Sequence, residues 1–280
     1  MLEKLQNINP KVIFLCLVIS FAIPMIYPIY LPIVIHPDTL AFETVIKGVP
    51  AQSKVIVGFE TDAHDYLAYE DAVLAVFRTM INHHLRFVVY CFHEQAPPLL
   101  QTLITKLNPE QYGYKYGTDY ALFGFVPGSE TAMANVAASP IQAAPDDLRG
   151  TPATSLPIMQ GVTDLNSFPI NMPFMMLLST STHLWARQWS QKYPQSTTIA
   201  FVTATTIPEA TPYYPQLFKG MIDGNSGGSE LEIIEAIPGL GASILGAKNL
   251  AMLFTVALVV LGNIGYFASR TTQRRKEEKK

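Results

Sequence analysis

Short apolar runs alternate with longer amphipathic stretches through the middle of the chain. Lys54–Glu60 (KVIVGFE) is a near-continuous apolar run and predicts a buried strand. Asp65–His84 follows, with Leu67, Val73, Leu74, Phe77 and Ile81 broadly on one helical face. Arg86–Phe92 (RFVVYCF) predicts a second strand, and Asp119–Val126 (DYALFGFV) a third. Between them, Pro98–Leu107 predicts a helix that closes before Asn108-Pro109. Thr131–Ala138 opens another helix, Pro169–Tyr193 reads as a longer one, and Thr197–Ala204 (TTIAFVTA) predicts a fourth strand. Tyr213–Asp223 reads as a helix that stops at Gly224, GNSGGS as a turn or linker, and Leu231–Ile237 as a last short strand or helix. Ser139–Pro157 holds four prolines and predicts a long surface loop, of the kind that marks a contact region.

Strands alternating with helices call for a mostly parallel sheet covered on both faces. The expected fold class is therefore α/β: a doubly wound, Rossmann-like domain over residues 36–236.

Two apolar stretches flank this domain. Val12–Ile35 has no charge in 24 positions, long enough to cross a bilayer core as a helix. Pro24, Pro28 and Pro32 predict a regular helix to about Ile23 and a kinked exit beyond it. The second stretch, Leu250–Phe267, precedes Arg270, Arg274, Arg275, Lys276, Lys279 and Lys280. Gly262, Asn263 and Gly265 give it a small or polar face for another helix. Pro238–Asn249, inside a linker assigned to residues 237–249, reads as an interfacial segment. Basic flanks mark the cytoplasmic side of a membrane. The expected arrangement is a two-pass inner-membrane protein: both termini cytoplasmic (residues 1–11 and 268–280), spans at 12–35 and 250–267, and the central domain outside. A cleaved signal peptide is the competing reading. It would leave thirteen apolar residues exposed beyond Ala22.

Charge sharpens the picture. Only 15% of the 280 residues are charged, against roughly 25% in an average soluble domain. The acids concentrate in the middle, which argues against nucleic acid as a partner. The expected partners are the lipid bilayer and either a second copy of the chain or another membrane protein. Cys16 and Cys91 form no disulfide framework, and no cofactor is expected.

Candidate chemistry sits where an open doubly wound sheet binds ligands, beyond the carboxyl ends of its strands. Glu60, Asp62, His93 and Glu94 are the acid–base candidates there. Asp62, His64 and His93 are the metal-ligand candidates, carboxylate and imidazole being suited to a divalent ion. The plainer reading is that Thr61, Asp62 or Asp65 caps the following helix. His83 and His84 close that helix, where imidazole suits the carboxyl-end dipole. Gly128 and Ser129 open a helix after the third strand and are candidates for anion binding, or Ser129 is simply a cap. The dinucleotide pattern G-x-G-x-x-G and the P-loop are absent, as is a G-x-S-x-G elbow. Ser179, Ser181 and His183 fall in a helical reading, where i, i+2 neighbours face apart. Trp185 and Trp189 offer aromatic area suited to an interface or to plain packing.

The segment YGTDYALFGFVPGSETAM, Tyr116–Met133, resembles a strand-and-turn segment of uncharacterised prokaryotic membrane proteins that carry a Rossmann-like extracytoplasmic domain. The resemblance implies a fold and an address, and it transfers no catalytic residue. These readings together lead to the expectation of a membrane-anchored, non-enzymatic scaffold or accessory subunit. The alternative is a membrane-tethered enzyme or small-ligand sensor that uses the strand-end pocket.

Overall fold

A computed structural model describes residues 9–26, 34–177, 181–237, 239 and 241–277. Its contacts divide the chain into two units, 34–241 and a second made of 1–33 with 242–280. The larger unit is built on six parallel strands in the order β3-β2-β1-β4-β5-β6. These are β1 (Lys54–Glu60), β2 (Arg86–Cys91), β3 (Tyr120–Phe125), β4 (Ile170–Met175), β5 (Thr197–Val202) and β6 (Phe218–Asp223). Chain direction across the sheet reverses between β1 and β4, so the doubly wound, Rossmann-like expectation holds for this unit.

The smaller unit contains α1 (Pro10–Ile26) and α10 (Gly241–Glu277). In the larger unit, α2 (Pro37–Gly48) precedes β1, α3 (Ala63–Asn82) follows it, and α4 (Ala96–Leu107) follows β2. After β3 come α5 (Glu130–Ala138) and the single turn α6 (Pro140–Ala143). After β4 comes α7 (Thr182–Trp185), which runs on as a π-helical turn over Ala186–Ser190. The short α8 (Ile207–Ala210) follows β5, and α9 (Gly224–Ile234) follows β6.

Strand periodicity sorts the core into two layers. Val55, Val57 and Phe59 of β1 point into the layer that holds Phe42, Phe77 and Leu231 of α2, α3 and α9. Ile56 points into the other layer, with Val136 of α5 and both tryptophans. The helices of the first layer approach very closely. A Cβ at Gly228 would lie 2.5 Å from Ala72 Cα.

Three stretches fold differently from what the sequence predicts. Pro169–Tyr193 is not one helix: its first part is β4, a central strand. Pro173 hid it, because proline lacks the ladder donor and argues against a central strand. The ladder accommodates it. β4 pairs with β5 at Ile170, Asn171, Phe174 and Met175 and skips the stretch containing Pro173. Tyr213–Asp223 is likewise not a helix, since Phe218–Asp223 is β6. GNSGGS is the first half of α9 rather than a linker. Its glycines read as breakers, yet they are what allows contact with Ala72 and Ile222.

The loop Ser139–Pro157 is folded onto the exposed edge of β3. Leu148 N–H donates to Leu122 O at 2.8 Å, and Phe123 bridges Asp147. The Asp147 carboxylate anchors this cover. It accepts from Arg149 N (2.8 Å), Thr151 N (2.7 Å) and the Tyr116 hydroxyl (2.8 Å). Covering an edge strand removes a template for unwanted pairing.

In the smaller unit, Ser243–Phe267 lies within α10 and is long and apolar enough to cross a membrane, with a mean hydropathy of 2.1. The helix begins at Gly241, so the stretch assigned to an interfacial linker is largely helical. In α1 the helix runs three residues past Ile23, through Pro24 to Ile26. Residues 27–33 of the first apolar stretch lie outside the described residues, and among those described α10 alone meets the length and hydropathy for a span.

Candidate functional site

The topological switch point lies at the carboxyl ends of β1 and β4. Alternation along β1 places Ile56, Gly58 and Glu60 on one face. Gly58 leaves that face bare, and Trp185 fills the space. A Cβ at Gly58 would lie 2.2 Å from Trp185 Cη2. Two residues on, the Trp185 indole Nε1–H donates to Glu60 Oε2 at 2.7 Å. Trp185 and Trp189 meet edge to face at 4.6 Å between centroids, and Phe92 at the end of β2 packs edge-on against Trp185 at 4.9 Å. Trp189 in turn donates to Met133 O at 3.0 Å. Both tryptophans are fully buried, so they are core rather than surface aromatic area.

Glu60 itself is buried, and burial pushes its carboxyl above the ordinary value. The Trp185 indole, the Ser181 hydroxyl and the charge of His93 oppose that rise without cancelling it. Ser181 is also buried, and its hydroxyl has no hydrogen bond of normal geometry. The folded Glu60 keeps its proton to higher pH than the unfolded one. Between the two values the folded state therefore binds more protons, and stability falls as pH rises. The contribution is fully present below the ordinary carboxylate range and is lost once pH passes the raised value. Glu60→Gln keeps an acceptor for Trp185 and removes the titration. Its stability gain over wild type will widen with pH across that window and stay flat outside it. Chemical denaturation at a series of pH values reads this directly, and a constant gap would contradict it.

The other strand-end residues are mostly occupied locally. Asp62 caps α3, its carboxylate accepting from Asp65 N at 2.8 Å. Ala63 N–H donates to the Gln95 side chain at 3.1 Å. His93 Nδ1 accepts from Gln95 N at 3.3 Å, while His64 and Glu94 are exposed. Asp62, His64 and His93 do not bring their donor atoms together as a three-ligand group. At the end of β5, Thr206 Oγ1 donates to Met175 O at 3.0 Å and accepts from Thr203 N at 2.8 Å.

Gly128 and Ser129 stand at the start of α5, both at positive φ. Ser129 was expected to cap this helix, and it does not. At φ 48° and ψ −116° its side chain makes no capping bond. Glu130, the first residue of α5, accepts from Arg187 and Gln188 instead, and its carboxyl is held below the ordinary value by Gln188 first and Arg187 after it. Asp164 caps a short turn through Asn166 N at 2.9 Å. Ser179 lies outside the described residues.

Sequence reasoning placed Glu60 correctly at a strand end and missed what holds it. The available signal was Gly58. A glycine inside an apolar strand marks a close approach by another group. Among the described residues, cavities open elsewhere. One of about 300 Å³ lies near the amino ends of the strands and is lined by Arg78, Asn82, His84, Tyr112 and Glu235 among others. One of about 290 Å³ lies between α4 and the loop that covers β3. Comparison with protein-family models, curated proteins and solved structures finds no match to this chain.

Proposed function

We propose that this chain is a membrane-anchored, non-enzymatic scaffold or accessory subunit that presents its α/β domain for assembly with itself or with another membrane protein. The observation that carries the reading is the seat of Trp185 on Gly58 and Glu60. Where a doubly wound sheet offers its strand ends to a ligand, this chain places its own indole. The apolar helix Ser243–Phe267 and the basic residues that follow it support anchoring, with the tail on the cytoplasmic side. The acidic middle and the apolar Val12–Ile35 support a two-pass arrangement with the domain outside. The mass of the particle extracted in a mild detergent tests the reading. Assemblies larger than one chain, or a stoichiometric co-purifying membrane protein, are expected. A monodisperse single chain with no partner contradicts it.

One observation favours a second reading, a tethered enzyme or small-ligand sensor. Glu60 is a buried carboxyl with a raised proton affinity, beside the buried Ser181 hydroxyl and near His93. Such groups cluster at functional sites. On this reading a ligand would displace Trp185 and take its place on Glu60.

A further inference from the structure

We propose that Glu43, His83 and Glu235 form a binding site for a divalent transition-metal ion, with zinc the best match to the donor set. The site lies at the amino ends of the strands, away from Glu60, and is independent of the function proposed above. Three elements converge on it. Glu43 comes from α2, His83 caps the end of α3, and Glu235 caps the end of α9. Each offers one ligand atom, and these atoms lie within 4.8 Å of one another. Zinc bonds to imidazole nitrogen and carboxylate oxygen are about 2.0–2.2 Å, so ligands at tetrahedral angles on one ion stand roughly 3.4 Å apart. A contraction of roughly 1.4 Å at the widest pair closes the set. One imidazole with two carboxylates suits zinc or cobalt better than calcium or magnesium, which favour oxygen alone.

The two buried carboxylates make this a place where a cation is stabilised. The Glu43 side chain is 7% exposed and that of Glu235 is 4% exposed. Buried carboxylates are costly unless compensated. Glu43 Oε1 accepts no hydrogen bond of ordinary geometry, and the cation facing it is the Lys47 ammonium, one turn along α2 on a side chain 53% exposed. A flexible surface lysine faces Glu43 alone, whereas a divalent ion between the two carboxylates would be shared by both. His83 Nε2 points at the same place, 2.9 and 3.0 Å from the two Glu235 oxygens. A metal takes the Nε2 lone pair of the neutral ring, whose proton then sits on Nδ1, and the Lys47 ammonium withdraws to water. Asn82 Nδ2 donates to Glu235 Oε2 at 2.8 Å and fixes its carboxylate from outside the ligand set. Three protein ligands leave a coordination position open. Glu235 and Asn82 also line the cavity of about 300 Å³, together with Arg78, His84 and Tyr112. That lining suits a small carboxylate or phosphate as the remaining ligand.

The test uses the full chain, purified without a histidine tag and stripped of metal. Cobalt(II) is titrated by visible absorption and zinc(II) by calorimetry. The expected result is one equivalent bound, with cobalt bands of four- or five-coordinate N/O ligation. Glu235→Gln and His83→Gln each weaken binding at least tenfold. Lys47→Ala, which removes the competing ammonium, tightens it. The His64→Ala, His93→Ala double variant binds as wild type does. If Glu235→Gln fails to fold by circular dichroism, His83→Gln carries the test. No saturable binding, undiminished binding by folded His83→Gln, or loss of binding in the His64/His93 variant would overturn the proposal.

Discussion

Replacing Gly220 with alanine will destabilise the α/β domain by roughly 3 kcal/mol or more, the upper end of what overpacking costs. Gly220 lies in β6, and α2 crosses directly above it. A Cβ there would stand 2.3 Å from both Phe42 Cα and Phe42 N, and 2.8 Å from the Ala41 carbonyl carbon. All three are backbone atoms, so no side-chain rotation relieves the clash. The helix must lift from the sheet, and its buried stripe of Thr39, Phe42, Glu43 and Ile46 lifts with it. Gly48→Ala is the control, because nothing lies within 4 Å of a Cβ at that position. It should change stability by no more than about 1 kcal/mol. Unfolding free energies of the two variants, measured side by side, check the pair. A Gly220→Ala variant as stable as wild type would mean that α2 does not sit on β6.

Trp185→Ala will cost about 3–5 kcal/mol from the cavity alone, the usual range for removing a large buried aromatic side chain. It also strips Glu60 of its indole donor and leaves a buried carboxyl short of a partner. Trp185→Phe fills more of the space and lacks the N–H, so it isolates the polar part of the loss. That part should be about 1–3 kcal/mol, the cost of leaving a buried polar group unsatisfied. Combining Trp185→Phe with Glu60→Leu should recover much of it, because neither partner then remains unpaired. A double-mutant cycle in chemical denaturation measures the coupling. Additive losses would show that the indole and the carboxyl do not act as a pair.

Most of the sheet was legible because buried parallel strands are apolar on both faces. KVIVGFE and RFVVYCF leave little other choice, and β1, β2, β3 and β5 fall where the pattern puts them. β4 and β6 were not legible for local reasons. Pro173 and Asn171 speak against a strand, and the apolar stretch after Met175 blurs where it ends. Phe218–Asp223 carries Lys219 and Gly220, which break the apolar run. The helix α2 went unread although Pro37 and Asp38 announce it, and its partner β6 was itself unread. α9 looked like a linker because three of its first five residues are glycines, and their purpose shows only when Ala72 lies against them. At the candidate site, the capping role of Asp62 follows from local chemistry and could be read in advance. The pairing of Glu60 with Trp185 spans 125 positions and ends in the misread stretch Pro169–Tyr193, so no local pattern carried it.

The central claim is that the switch point is closed by the chain's own tryptophans. Trp185 and Trp189 are the only tryptophans in the sequence, so emission excited selectively in tryptophan reports on this place alone. The account predicts blue-shifted emission that soluble quenchers do not reach and that nucleotides and small organic acids leave unchanged. Quenchable, red-shifted emission, or a saturable change with any of those ligands, would contradict it and favour a ligand-binding crevice over a surface for assembly.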